Sequence, residues 1–367
     1  MESAVPPPQR RSTAIQRYLG LDVHSSSCTF AVLNASGKLL RRDVVETNGS
    51  VLIRYLQGVA GDLYVCVEES EWSQWLWEIL RPHVSELVVY RGEWRPGSKS
   101  DAIDARELAD RLRTGRIETT VFKDPGRFTA LRELARPYRM VTADVARVKN
   151  RLKSFYRSRG VPCTGTAVYT PAGRSERSRR LPVATRHAIE LMGLELDALI
   201  ELKTRAQDTM LQESARHPIS RILQTAPGLG PVRVAQLLAI VVTPHRFRTK
   251  RQFWSYAGFG IVNRTTSDWV REDGRWTRRS IGQTRGLNKN HNHQLKAIFK
   301  GAATTVIAHM DSNPLREDYD RLCSSGTKPN LAKLTIARKI AAITLAMWKK
   351  EERYDPDRSR RVSEAPA

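Results

Sequence analysis

The apolar residues between positions 131 and 155 fall at a spacing that few structures satisfy. Leu131, Leu134, Tyr138, Val141, Val145, Val148, Leu152 and Phe155 are separated alternately by three and four residues. This is the a/d spacing of a heptad, which keeps one stripe of a long helix against a partner. A second seam runs through Ile189, Met192, Leu196, Leu199, Lys203, Ala206 and Met210. Between them lies GTAVYTPAGRSERSRRLP, a polar, basic stretch expected to be a loop. The pattern predicts an antiparallel coiled-coil hairpin, or a dimerising element, over residues 126–215. Two long helices of an ordinary bundle are the alternative. Pro137 cannot donate a helical hydrogen bond, so the first helix is expected to start or kink there.

Upstream the period is two. RYLGLDV (17–23) and CTFAVL (28–33) are short β-rich runs, and NASG (34–37) is a hairpin turn leading into KLLRRDVVE. A helical segment near 49–59 precedes LYVCVE (63–68), which has the pattern of a buried strand. SQWLWEILRPH then reads as a helix and ELVVY (86–90) as a strand. Three meandering strands followed by alternating helix and strand is the order of an RNase H-like α/β domain, placed at 17–125. From 216 to 350 the chain reads as mostly helical, opening with TAPGLGPV and closing with LAKLTIARKIAAITLAMWKK. The expected fold class is α/β plus α. The tails, 1–16 and 351–367, are expected to be disordered.

Charge narrows the function. The 61 Lys and Arg exceed the 38 Asp and Glu, giving a formal net charge of +23. A surplus of that size predicts a polyanionic partner, most simply nucleic acid, with a basic membrane-surface protein as the competing class. No apolar run approaches the roughly 20 residues of a spanning helix, and no signal-peptide core is visible. A soluble intracellular protein without a membrane partner is expected. Cys28, Cys66, Cys163 and Cys323 form no CxxC pair. Neither a disulfide framework nor a zinc site is expected.

Against that charge, four acids stand out. Asp22 ends the first strand in LGLDVH, and Glu68 ends a later one in VCVEES, beside Glu69. Asp101 and Asp104 lie at i and i+3 where KSDAIDARELA begins a helix, so both face one way. In an RNase H-like sheet the two strands are neighbours and the helix packs across them, so the four carboxylates can converge. Oxygen ligands of this kind suit Mg²⁺, and two such ions roughly 4 Å apart can stabilise the attacking and leaving oxygens of a phosphoryl transfer. Taken singly, Asp101 and Asp104 also read as an N-cap and a first-turn acid. PGLGP (227–231) reads either as a helix-hairpin-helix turn holding a phosphate on Gly228 and Gly230 amides, or as a plain interhelical turn. In KNHNHQ (289–294), His291 and His293 are two apart, which points them in different directions on a helix and argues against a metal role. NRTTSDW (263–269) offers Ser267 as a candidate nucleophile toward phosphate, or as an ordinary loop serine.

Together YLGLDVHSSSCTFAVLNASGKLL, VEES, KSDAIDARELA, PGLGP, FWSYAGF and GLNKNHNHQLKAIFKGAA resemble the DEDD-type insertion-sequence transposases, in the order of that family and over about 17–350. These are recombinases with a RuvC-like N-terminal domain and a C-terminal domain carrying a serine nucleophile. The resemblance implies that Asp22, Glu68, Asp101 and Asp104 are the catalytic, metal-binding acids, with Lys99 and Ala105 completing the aspartate motif. It implies Mg²⁺ as cofactor, as two ions with Mn²⁺ able to substitute. It makes Ser267 the nucleophile. Many members have Ser-Gly where this chain has Ser267-Asp268, which keeps Thr265, Thr266 and Ser280 as alternatives.

The resemblance further implies DNA ends and target as substrates, a structured guide RNA, and assembly as a dimer or tetramer in the bacterial cytoplasm, at the nucleoid. Base pairing would then supply specificity while the protein grips backbone. Candidate nucleic-acid contacts are Arg147, Arg151, Gly228, Gly230, Arg264, Arg285 and Lys289. The remaining basic face of the first long helix and the basic loop at 174–180 join them. Two rivals stay open. A RuvC-like junction endonuclease would need the acids but not Ser267. A non-enzymatic RNA- or DNA-binding protein would need neither.

Overall fold

Alternating β-branched and aromatic residues build one mixed sheet at the start of the chain. The computed structural model describes residues 15–91, 101–117, 126–264, 269–278 and 283–357. Strands β1 (Gln16–Val23), β2 (Ser27–Asn34), β3 (Leu39–Glu46), β4 (Asp62–Glu68) and β5 (Glu86–Tyr90) lie in the order β3-β2-β1-β4-β5. The first three form an antiparallel meander, while β4 and β5 run parallel to β1. The β2–β3 turn closes as its residues dictate. The Asn34 side chain accepts from the amides of Ser36 and Lys38, and Gly37 takes φ +85°.

The two faces of this sheet are packed differently. Helices α1 (Gly49–Gln57) and α2 (Ser73–Leu80) cover one face. There Leu19, Leu21, Phe30, Val65 and Val67 meet Leu52, Leu56, Leu76 and Leu80 in one buried cluster. Asn48 starts α1 by accepting from the amides of Ser50 and Val51. Helix α3 (Asp101–Arg113) lies on the other face, where Cys66, Tyr90 and Leu108 form a smaller cluster. These residues make up a compact unit ending at Gly126.

The second compact unit, 127–367, is mostly helical. It holds α4 (Thr129–Arg157), α5 (Pro171–Ser178), α6 (Val183–Ala215), α7 (Pro218–Leu223), α8 (Pro231–Val241) and α9 (Lys250–Tyr256). After β6 (Ile261–Arg264), β7 (Trp269–Glu272), β8 (Arg275–Arg278) and β9 (Gln283–Leu287) come α10 (His293–His309), α11 (Pro314–Ser324) and α12 (Pro329–Lys350). The strands pair as β6 with β9 and β7 with β8, an interruption the apolar pattern did not announce. Among the described residues no helix is long and apolar enough to cross a membrane.

Helices α4 and α6 pack against one another along the two seams. Val145, Val148, Leu152 and Tyr156 meet Ile189 and Leu196, whereas Leu131 and Tyr138 share a cluster with Met210. The two helices are therefore antiparallel. The hairpin is continuous at its base with the helices that follow, because that second cluster also contains Leu238, Phe299, Ile340 and Trp348.

Four details depart from the sequence pattern. Tyr156, not Phe155, is the fully buried residue at the end of the first seam. A helix of 3.6 residues per turn drifts against a strict 3.5 repeat, so the last step becomes four. Pro137 does not start the helix: α4 runs through it from Thr129 to Arg157. Burial of Ala135 and Tyr138 on either side offsets the hydrogen bond that Pro137 cannot make to Glu133. The stretch expected to be a basic loop contains α5, and Arg174 within it is buried rather than presented. Its guanidinium grips both carboxylate oxygens of Asp197 and the carbonyl of Tyr169, 2.6 Å away. At the other terminus the packed chain extends past Lys350. Tyr354 lies against the main core and its amide donates to Thr225 Oγ1 at 2.9 Å. Residues 1–14 and 358–367 lie outside the described residues.

Candidate active site

Strand register puts Asp22 and Glu68 next to each other. β1 and β4 are parallel, and their paired rungs run through Gly20–Cys66 to Leu21–Val67. Asp22 and Glu68 are the next residue of each strand, at the C-terminal ends where an open α/β sheet leaves room for a ligand. Side chains alternate along a strand, so both acids share the face of Gly20 and Cys66. That is the face α3 covers. Glu69 lies past the strand end, with its amide donating to the Tyr90 carbonyl at 2.7 Å. Strand geometry thus separates Glu68 from its neighbour.

Helix α3 is held antiparallel to β1 by two close approaches. A Cβ on Gly20 would come 1.8 Å from the Ala105 carbonyl oxygen and 2.7 Å from the Ala109 amide nitrogen. At the far end, Arg113 reaches the Ala35 carbonyl and lies against Gly37, where β2 turns. Moving from Gly20 toward Asp22 therefore moves toward the start of α3, where Asp101 and Asp104 are. A further lock sits beside Glu68, whose rung partner is Tyr90. Arg111 donates to the Tyr90 hydroxyl at 2.6 Å, lies over its ring, and pairs with Glu107 at 3.1 Å. This Tyr90–Arg111 contact joins residues 21 positions apart and is not visible in the sequence pattern. Its only local signal is the i,i+4 pairing of Glu107 with Arg111.

The electrostatics of this corner are anionic. Asp22 is 14% exposed and lies 3.2 Å from His24 Nε2. Glu68 is exposed and Asp104 half-buried. Burial, with the charge of Glu68 adding to it, pushes the Cys66 thiol up to about 12. Burial also raises the Cys28 thiol; a hydrogen bond to Thr47 opposes this and the charge of Asp22 reinforces it. Neither cysteine is a thiolate near neutral pH, so the ligands this corner offers are carboxylate oxygens, with His24 at its edge. Such a donor set fits a hard divalent cation. Among the described residues no group of three His, Cys, Asp or Glu is close enough to hold a metal. Asp101 opens α3, but its side chain lies outside the described residues.

The second unit carries the other predicted positions. Ser267 and its alternatives Thr265, Thr266 and Ser280 lie outside the described residues. Arg264 ends β6 and Arg285 lies in the paired strand β9, with side chains likewise outside the description. Lys289 is exposed just beyond β9. On α4, Arg147 is 67% exposed and paired with Asp144, while Arg151 is exposed. The stretch of α4 holds eight Lys and Arg against two acids, and that of α6 three against six. Positive charge in the hairpin is thus concentrated on α4. In PGLGP, Gly228 takes φ +72° and backs onto the Ala302 carbonyl, while Arg233 Nη1 donates to the Gly228 carbonyl at 2.7 Å. Gly228 faces protein, whereas nothing lies within 4 Å of a Cβ placed on Gly230. In the Tyr-Ala-Gly segment, Gly258 takes φ +75° and its missing Cβ would fall 2.3 Å from the His291 ring.

A mixed five-stranded sheet with acids at the ends of its central parallel strands offers oxygen donors of the kind metal-assisted phosphoryl transfer uses, but a fold alone assigns no function. Residues 19–158 match a transposase family of the DEDD, IS110 type. Residues 220–320 match the transposase IS116/IS110/IS902 family. The chain is also 24% identical over 315 residues to an uncharacterized 44.8 kDa protein of insertion element IS116 from Streptomyces clavuligerus, covering 73% of this chain and 74% of that one. The chain belongs to the IS110 family of DEDD transposases. It is a DNA-recombining enzyme whose substrate is DNA that it cuts and rejoins.

Proposed function

We propose that this transposase cuts DNA by attack of Ser267 on a phosphate held at the carboxylate corner, and that it is guided to its sites by a structured RNA. The observation that supports the reading is the register of β1 and β4. It places Asp22 and Glu68 together on the face whose helix begins with Asp101 and Asp104. Asp22, Glu68, Asp101 and Asp104 would hold Mg²⁺. When bound, the ion polarises the phosphate and stabilises the leaving oxygen. The Ser267 oxygen forms a bond to phosphorus as the bond to one DNA oxygen breaks, and the serine proton ends on that leaving oxygen. The phosphoserine ester conserves bond energy for rejoining to another strand. The carboxylates belong to one compact unit and the serine to the other.

The guide RNA and the basic ridge of α4 fit together. Arg151, Arg157 and their neighbours offer sequence-independent backbone contacts, which leaves recognition to base pairing. The test incubates the protein with Mg²⁺, the RNA encoded beside its gene and labelled element-end DNA. A denaturing gel then scores a protein–DNA adduct. The expected result is an adduct lost in both Ser267→Ala and Asp22→Asn. Free cleaved DNA without adduct, unaffected by Ser267→Ala, would overturn the serine mechanism in favour of a hydrolytic nuclease.

A further inference from the structure

The face that carries the acids is only half covered by α3. The row of side chains beside Asp22 runs across the sheet through Thr29 to Val44, and the row beside Gly20 runs through Ala31 to Arg42. α3 covers the β1 and β2 ends of these rows, where Gly20, Thr29 and Ala31 are closed off. It leaves β3 bare: Val44 is 67% exposed, Leu40 is 45% exposed and Arg42 is exposed. Facing them from the helix are Ile103, 55% exposed, and Arg106, also exposed. Between the two walls is a cleft of about 440 Å³, lined by Leu33, Arg42, Ile103, Arg106, Glu107 and Asp110.

The charge of this cleft is positive where it is available. Glu107 pairs with Arg111, and Asp110 with Arg113. Among the described residues, neither Arg42 nor Arg106 is in an ion pair. Arg42 and Arg106 thus line the cleft from opposite walls, with Leu33 and Ile103 between the charged residues. Strand spacing sets their distance from the chemistry. Two strands across and two residues along place the Cα of Arg42 roughly 12 Å from that of Asp22. Arg106 is two residues along α3 from Asp104 but on a different face of the helix, the one it shares with Ile103 and Asp110 in the cleft wall.

We propose that the α3–β3 cleft seats the backbone of the DNA strand being cut, with Arg42 and Arg106 each pairing with a phosphate flanking the scissile one. The proposal rests on the carboxylate corner being the cutting site. Guanidinium groups suit phosphate oxygens in a two-pronged contact, and the exposed Ile103 in the cleft wall offers apolar area for a sugar. A single strand fits a slot with one basic group on each side, and an exposed strand edge for a protein segment would not need either arginine.

The test measures affinity of the full-length protein for labelled element-end DNA in EDTA, over a range of salt, so that metal and nucleophile play no part. Each phosphate contact contributes about 0.7–0.9 to the slope of log affinity against log salt. Arg42→Gln and Arg106→Gln should each lower the slope by about that amount, and the double variant by about twice as much. Arg42→Lys and Arg106→Lys should keep it. Arg54→Gln, exposed on α1 against the opposite face, should leave it unchanged. An unchanged slope in both glutamine variants overturns the proposal. So does an equal drop in Arg54→Gln, which would mean that only net charge matters. A loss seen with RNA but not with DNA overturns it as well. If wild type binds DNA through the cleft yet forms no adduct in Mg²⁺, the serine mechanism fails while the cleft stands.

Discussion

Gly20 and Ala105 are in contact through backbone alone: a methyl group on Gly20 would come 1.8 Å from the Ala105 carbonyl oxygen. The acid-bearing helix is thereby set at a distance from β1 that no other side chain permits. Gly20→Ala should push α3 off the sheet and cost about 1–3 kcal/mol, the usual range for overpacking a closed interface. Urea unfolding should show the loss, and strand cutting should fall with it because Asp104 moves relative to Asp22.

Removing single carboxylates should separate chemistry from binding. Asp22→Asn, Glu68→Gln and Asp104→Asn are each expected to lower strand cutting by at least ~100-fold, the scale of a lost metal ligand or its close partner. DNA affinity measured in EDTA should stay within a few-fold of wild type. Chelation of divalent ions should likewise stop cutting, with recovery on adding Mg²⁺ or Mn²⁺. Full activity of Asp22→Asn would sink the assignment of the corner.

Arg174 offers a test of structure against nucleic-acid contact. It is gripped by Asp197, and a Cβ on Gly193 would lie 2.6 Å from its Nε. Arg174→Ala should free α5 and destabilise the hairpin by roughly 1–3 kcal/mol, because the partly buried Asp197 loses its partner. Limited proteolysis should then cut between residues 160 and 182. RNA and DNA affinities should not change beyond what the lost fold explains, whereas Arg151→Ala should weaken both.

The thiols should react in a fixed order. Cys323 is half-buried on α11, while Cys28, Cys66 and Cys163 are buried. Maleimide added to native protein at neutral pH should label Cys323 first. Cys66 should label only on unfolding, because it is buried beneath α3 and its thiol is protonated. Early labelling of Cys66 would mean that α3 lifts from the sheet in solution.

Much of this architecture was legible because it rests on periodicity. The strands carrying Asp22 and Glu68 and the seams of α4 and α6 are set by spacing, which one sequence displays directly. The missing parts depend on long-range geometry. The alternation that separates Glu68 from Glu69 needs the strand end, and the burial of Arg174 needs Asp197, 23 positions away. Arg42 looks like any other charge on an edge strand until α3 is known to stop short of it. The short strands β6 to β9 leave no periodic signal because runs of four or five residues carry too few alternations.

Gly258 and His291 place a joint constraint on how this chain can vary. The left-handed φ of +75° already favours glycine, and the His291 ring occupies the space a methyl group would take. Shrinking His291 would remove the collision but not the backbone strain of a non-glycine residue at 258. In genetic terms, a defect caused by Gly258→Ala should be suppressed only partially by His291→Gly. Full revertants should restore glycine itself.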